Sequence, residues 1–305
     1  MDRKRALYGG IVIGWLFFVG AALIALWNGY TSPWVTVADV PGGTSGAIVI
    51  GVGSLIVVGF VMITLMDYRD HAIWRENGQE VGLRPSDDPG DTVGPKLTGT
   101  VDGRPVTTCY DKFQRSSASS SDGSSAVTVK HAFFEAALAD STGEGVVVGR
   151  PDRSFFSNKP ARFPNSFFDN ISETAAEMDE FVAVTSDDLV LVGTSKAAVE
   201  AVDSGRSGEA LRSIPDLLIA SIGTASGVTA RVYEARTEDM EGLGKSLLES
   251  AQMAQAAQVP GDGATVSVET KSLLRDGDDF REAIEGVVAV ADAFEEATAR
   301  APASR

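Results

Sequence analysis

Leu97-Thr98-Gly99-Thr100-Val101-Asp102-Gly103-Arg104-Pro105-Val106-Thr107-Thr108-Cys109-Tyr110 places two β-forming runs on either side of Asp102-Gly103. Asp-Gly readily takes the two positive φ values of a type I′ turn, whose twist matches that of paired strands, so the stretch predicts a two-residue hairpin. In that register Pro105 faces Thr100 at a non-hydrogen-bonded pair. Its missing N–H costs this ladder nothing and makes pairing on the other side of the second strand harder, which predicts an edge or a bulge there.

Working toward the C-terminus, Arg115 to Ser125 is almost all serine, with Asp122 and Gly123, too polar to bury, and reads as a mobile loop. Ala126 to Phe134 is a further strand candidate. Gly145 to Gly149 and Phe181 to Val184 look like short buried strands, and Leu189 to Val192 returns from Asp187-Asp188 as a second hairpin. Thr194 or Ser195 caps a short helix through Ala201, with Gly205 soon after its end. Thr237 is expected to cap a longer helix with an apolar stripe of Met240, Leu243, Leu247, Ala251 and Ala254, ended by Pro260-Gly261. Thr265 to Glu269 reads as a strand. Phe280, Ile284, Val287, Ala291 and Phe294 form the clearest helical stripe, starting behind Asp278 as its expected cap.

Working toward the N-terminus, Pro85, Pro89, Gly90, Gly94 and Pro95 make a polar linker, and Asp67 to Gly82 predicts a juxtamembrane helix with Ile73, Trp74 and Val81 as its apolar residues. Before it, Tyr8 to Trp27 and Ala47 to Met66 each supply the roughly 20 apolar residues that about 30 Å of hydrocarbon requires. Arg3, Lys4 and Arg5 precede the first run, Arg69 and Arg75 follow the second, and Asn28 to Ser45 has no basic residue, a pattern that puts both ends inside. Gly10 and Gly14, like Ala21 and Ala25, sit four apart; packing of the two spans as a hairpin explains this more simply than a dedicated oligomerisation motif.

The expected fold class is therefore two N-terminal transmembrane α-helices followed by a mixed α+β soluble domain with antiparallel hairpins and two long amphipathic helices. The expected division is 1–66 for the transmembrane hairpin, 67–95 for the juxtamembrane helix and linker, and 96–300 for the α+β domain. The expected location is the cell membrane, multi-pass, with N-terminus and C-terminal domain cytoplasmic.

From Asp67 onward there are 40 acidic and 23 basic residues, spread along the chain. This argues against nucleic acid as a partner, and with Arg outnumbering Lys it suits a protein kept in solution at high salt, where repulsion is screened. Cys109 is the single cysteine, so no intrachain disulfide exists.

Trp74, Gly82, Leu83, Leu97, Gly99, Gly103, Arg104, Pro105 and Val106 together spell a Trp-containing helix ending in Gly-Leu and then a Leu-x-Gly-x-x-x-Gly-Arg-Pro-Val hairpin. In this order of pieces, and in the later strand and helix ending with Ala291, Asp292 and Phe294, the chain resembles an uncharacterised family of prokaryotic, haloarchaeal-type two-span membrane proteins. The resemblance covers most of the acidic region and rests on turn glycines and apolar positions. It implies a fold and carries no activity.

Residues with chemical capacity are few. His71 and His131 with one cysteine do not make a zinc set. His71 reads as an interfacial residue beside the membrane, His131 as a strand residue and Cys109 as a buried, inert thiol. Gly244-Lys245-Ser246 lacks the earlier glycine of a phosphate loop, having Asp239 there. Asp276, Asp278 and Asp279 lack the calcium loop's terminal Glu, and helix capping accounts for them. Arg104 and Arg150, each between Gly and Pro, are explained by turn geometry.

No catalytic, cofactor-binding or metal-ligating residue is assigned, and no cofactor is expected. The expected function is a non-enzymatic membrane-anchored module that binds a partner, or acts as a scaffold or sensor. Its expected partners are the lipid bilayer, through the two helices, and a protein partner or a second copy. The alternatives are a small-molecule-binding or enzymatic domain with a site assembled from distant residues, and an accessory subunit of a membrane transport complex.

Overall fold

The computed structural model describes residues 43–87, 92–116, 126–139, 143–150, 165–186, 188–203, 205–238 and 264–300. The chain divides into two compact units, Met1–Asp70 and His71–Arg305. In the first, the described residues belong to helix α1 (Gly43–Glu80), which continues across the boundary. Phe60, Ile63, Met66 and Tyr68 of α1 are exposed, and the Thr64 hydroxyl donates to the Phe60 carbonyl at 2.9 Å.

The second unit is built on one sheet of nine strands: β1 (Arg84–Pro85), β2 (Leu97–Val101), β3 (Arg104–Ser116), β4 (Ala126–Ala137), β5 (Gly145–Gly149), β6 (Val182–Ser186), β7 (Leu189–Gly193), β8 (Leu217–Gly223) and β9 (Thr265–Thr270). Their order across the sheet is β1-β2-β3-β4-β9-β8-β5-β7-β6, and every neighbouring pair is antiparallel. Five further helices complete the described part: α2 (Asn165–Glu177), α3 (Lys196–Asp203), α4 (Gly205–Ser213), α5 (Ala225–Glu238) and α6 (Gly277–Arg300).

The Asp-Gly hairpin forms as its sequence dictates. Asp102 and Gly103 have φ of 49° and 82°, and Thr100 pairs with Pro105. The edge or bulge expected on the other side of β3 is not found: β3 pairs with β4 in one unbroken register from Val106↔Ala136 to Ser116↔Ala126, and the missing N–H of Pro105 only delays the start of that ladder by one residue.

Two faces with different chemistry follow from the pleat. On one, Leu97, Val106, Phe134, Ala136, Val266, Val268, Ala220, Ile222, Val148 and Leu191 make an apolar surface across the sheet, covered by α3, α4, α6 and the end of α1. Trp74 is the hub at one side, with its ring centroid 4.8 Å from Phe280, 5.3 Å from Tyr110 and 5.7 Å from Phe134. The α6 stripe of Phe280, Ile284, Val287, Ala291 and Phe294 is almost wholly buried, while Glu282, Glu285, Asp292 and Glu296 face out. Gly286 lets α4 lie close to α6: a Cβ there would meet Ile214 Cγ1 at 2.8 Å.

On the other face, Val147, Val190, Val192, Leu218 and Ile219 pack under α2 and α5 through Ile171, Ala175, Val228 and Val232. Strand β8 serves both faces by a register shift between Leu217 and Ile219. Leu217 belongs to the first core, Leu218 and Ile219 both belong to the second, and Ala220 returns to the first. An extra residue of this kind resets which side chains point which way.

Several expectations are corrected. Among the described residues no helix is long and apolar enough to cross a membrane. The described residues therefore do not contain the expected pair of N-terminal transmembrane helices, and the lipid bilayer as partner and the multi-pass cell-membrane location lose their support. The span expected at Tyr8–Trp27 lies outside the described residues. The one expected at Ala47–Met66 falls within α1, which runs on without a break through Asp67, Arg69, Asp70, Arg75 and Glu76 to Glu80.

Smaller corrections have local causes. The strand expected at Phe181–Val184 is Val182–Ser186 and only half-buried, because it is terminal in the sheet. Gly205 follows the end of α3 at Asp203 as expected and also opens α4, and of the two expected caps of α3 it is Ser195 whose Oγ accepts from Ala198 N at 3.2 Å. Thr237 lies in the last turn of α5, and the helix expected after it, like the serine-rich loop beyond Ser116, lies outside the described residues. The cap of α6 is Asp276, whose Oδ1 accepts from Asp278 N at 2.9 Å, in place of Asp278.

Phe280→Ala removes the ring that joins Trp74 to Phe134 and is expected to cost about 3–5 kcal/mol of stability. Gly103→Ala, where a Cβ meets nothing and only the positive φ matters, is expected to cost about 1–2 kcal/mol. Urea unfolding of both variants should return that order; equal losses would contradict the assigned hub.

Candidate functional site

The polar half of the second face is the most distinctive cluster of side chains. Following the register, Thr98, Thr107, Glu135, Ser267 and Ser221 form a row across β2, β3, β4, β9 and β8, and the same row continues as Val147, Val192 and Ala183 on β5, β7 and β6. The neighbouring row places Cys109, Phe133, Glu269 and Ile219 side by side. One sheet face thus changes from polar to apolar at the β8–β5 boundary.

Within it, His131 and Glu269 form a buried pair. Their side chains are 2% and 0% exposed, and Nδ1 lies 2.7 Å from Oε1. Ser221 and Ser267 sit directly opposite each other on β8 and β9, are 0% and 1% exposed, and neither hydroxyl has a hydrogen-bond partner among the described residues. Buried hydroxyls of this kind are ordinarily satisfied by water or a ligand.

The spacing excludes one familiar reaction scheme. His131 lies four residues along β4 from Glu135, the position opposite Ser267, a strand distance of about 13 Å. The imidazole does not reach the Ser267 hydroxyl, and Glu269 stands between them, so serine, histidine and carboxylate are not arranged as a nucleophilic relay.

Cys109, half-buried beside Phe133, has its thiol pushed up to about 12 by burial, with Glu135 and Asp111 adding to the effect. At neutral pH it is a thiol and not a thiolate. His71 packs edge-on against Tyr110 at 5.7 Å and so has a structural neighbour in place of the interfacial role expected of it.

Arg104 and Arg150 do more than shape turns. Arg104 donates to Asp292 at 2.6 Å and to both oxygens of Glu295 at 2.9 and 2.7 Å, and it also reaches the Ala137 carbonyl. Glu295 in turn accepts from Ala139 N. The guanidinium beside it holds the Glu295 carboxyl below the usual range, and the Arg104 pKa is raised, chiefly by Glu295. One side chain therefore ties the first hairpin to α6 and to the end of β4. Arg150 Nε is 2.8 Å from Asp188, and its Nη2 donates to the Arg212 carbonyl at 2.9 Å; Arg212 pairs with Asp203 at 2.9 Å.

Asp276 caps α6, Asp278 pairs with Arg281 at 3.0 Å, and Asp279 is raised by burial and by neighbouring acids. Among the described residues no group of three or more His, Cys, Asp or Glu gathers as a metal site. Gly244-Lys245-Ser246 lies outside the described residues.

Sequence reasoning reached His131 as a strand residue and missed Glu269 as its partner. A glutamate closing the otherwise small and apolar Thr265-Val266-Ser267-Val268 was the available signal. No protein-family model matches the chain, and no curated protein or solved structure matches it either.

Three outcomes are expected. Glu269→Ala, which removes the carboxylate 2.7 Å from the buried His131 Nδ1, should lower stability by about 3–5 kcal/mol, and Glu269→Gln by less, read from urea unfolding midpoints. Arg104→Met should cost about 1–3 kcal/mol at pH 7. Because Glu295 titrates below its unfolded value near 4.3, its share of this loss is full above that pH and disappears as pH falls through the folded pKa. The gap between wild type and Arg104→Met should therefore narrow below about pH 4. Alkylation of native Cys109 at pH 8 should run at least about a hundredfold slower than that of the unfolded chain.

Proposed function

We propose that the unit beginning at His71 is a non-enzymatic module that binds a partner protein and serves as a scaffold or sensor. One observation supports this most. The described side chains with catalytic capacity are committed to the fold itself: His131 to Glu269, Arg104 to Asp292 and Glu295, Arg150 to Asp188, and Cys109 as a protonated thiol. General acid–base or nucleophilic chemistry needs such groups turned toward a reacting atom, within hydrogen-bond reach of it.

A second reading has its own observation. The hydroxyls of Ser221 and Ser267 beside Glu269, which have no hydrogen-bond partner among the described residues, favour a small polar molecule held against this face, which would make the module a ligand sensor.

Crosslinking in intact cells at native salt, purification through a C-terminal tag and mass spectrometry separate the two. A stoichiometric protein partner is the expected result. Homogeneous protein that carries a small molecule in native mass spectrometry, with that molecule lost in a Ser221→Ala, Ser267→Ala double variant, would replace the first reading by the second.

A further inference from the structure

The two ends of the sheet are built differently. At one end β1 is two residues long, and those residues are Arg84 and Pro85, a charge and a missing donor of the kind that keeps an edge from pairing. At the other end β6 presents Val182-Ala183-Val184-Thr185-Ser186, with no charge and no proline and with three β-branched residues. Among the described residues no strand lies beyond it.

The register fixes which backbone groups are on offer. Ser186↔Leu189 closes a two-residue loop, so it is a hydrogen-bonded pair, and the alternation of an antiparallel ladder turns Val184 and Val182 toward β7. The N–H and C=O groups of Ala183 and Thr185 then point to the open side. They form two donor–acceptor sets about 7 Å apart along the strand, the spacing at which a further antiparallel strand makes its own pairs.

We infer that this edge receives an extended, positively charged segment of a partner protein as a tenth, antiparallel strand. The inference rests on the module reading above and names its contact. Backbone pairing supplies the affinity in such an addition, and charge selects the partner.

Glu180 and Asp188 flank β6, each half-exposed, on a region carrying 40 acidic against 23 basic residues. Arg231 lies 3.3 Å from Glu180, and Asp188 has Arg150 at 2.8 Å and Arg212 at 3.9 Å, so the selecting charge is that of the region as a whole, with both acids half-exposed within it. A second copy of the chain is a poorer fit. Two β6 strands paired antiparallel about Val184 would set Glu180 of one copy against Asp188 of the other, within a net negative field on both sides.

The test uses the full chain and a fluorescein-labelled peptide of sequence Lys-Lys-Thr-Val-Thr-Val-Thr-Lys-Lys, with Glu in place of every Lys as its control. Anisotropy should show the basic peptide binding, more weakly as salt rises from about 0.1 to about 1 M, and the acidic one not binding. Thr185→Pro removes an outward N–H from an edge strand and should weaken binding about tenfold with the unfolding midpoint retained. If that variant does not fold, Thr185→Lys replaces it and should weaken binding by placing like charges together.

Equal binding by wild type and variant, or no binding of the basic peptide, overturns the inference. So does self-association in sedimentation that Thr185→Pro abolishes, which would make the occupant a second copy. A partner crosslinked equally by wild type and Thr185→Pro removes this edge and leaves the module reading intact, whereas the absence of any partner from both removes the module reading itself.

Discussion

Strand β9 is the joint on which the second unit depends. It pairs with β4 over six positions and with β8 over five, and among the described residues no other strand connects the β1–β4 half of the sheet to the β5–β8 half. Strands β4 and β5 follow each other in the chain yet are separated in the sheet by β9 and β8. Two separate half-sheets would each leave an open edge at the centre of the molecule. The late-coming Thr265–Thr270 segment closes both edges at once, at the entropic cost of contacts spanning most of the unit's length.

That joint also determines where polar groups sit. Val266 and Val268 carry the apolar core through β9 on one face, and Ser267 and Glu269 carry polarity through it on the other. His131 meets Glu269 because the antiparallel register brings the level of residue 131 on β4 within one cross-strand diagonal of residue 269. The Arg104 cluster then secures the unit from its margin, joining a hairpin, a strand end and α6 through one planar guanidinium whose donors match two carboxylates.

Legibility in the sequence followed the range of the interaction that sets each feature. The Asp102-Gly103 hairpin and the α6 stripe are governed by neighbours a few residues away, and they read directly, whereas Pro105 pointed to an edge or a bulge and β4 pairs there from the very next residue. Strand β8 did not read directly: all seven residues of Leu217–Gly223 are buried, so alternation is absent, and a register shift breaks what period remains. Gly205 looked like a stop and is also the start of α4, because helix-ending and helix-beginning signals overlap when the connection is a single residue. The apolar run and the charged helix expected after it from Asp67 are one element, α1, which ends at Glu80. The His131–Glu269 pair joins positions 138 residues apart, a distance at which spacing carries no information.

Trp74 carries an optical consequence. Trp15, Trp27 and Trp34 all precede His71, so the second unit contains one indole, walled by Tyr110, Phe134 and Phe280, with its Nε1 buried and without an acceptor among the described residues. An indole so enclosed emits toward the blue, and opening of the sheet at β4 or lifting of α6 exposes it to water. Nature has thereby given this unit a single built-in chromophore that reports on its core without a label.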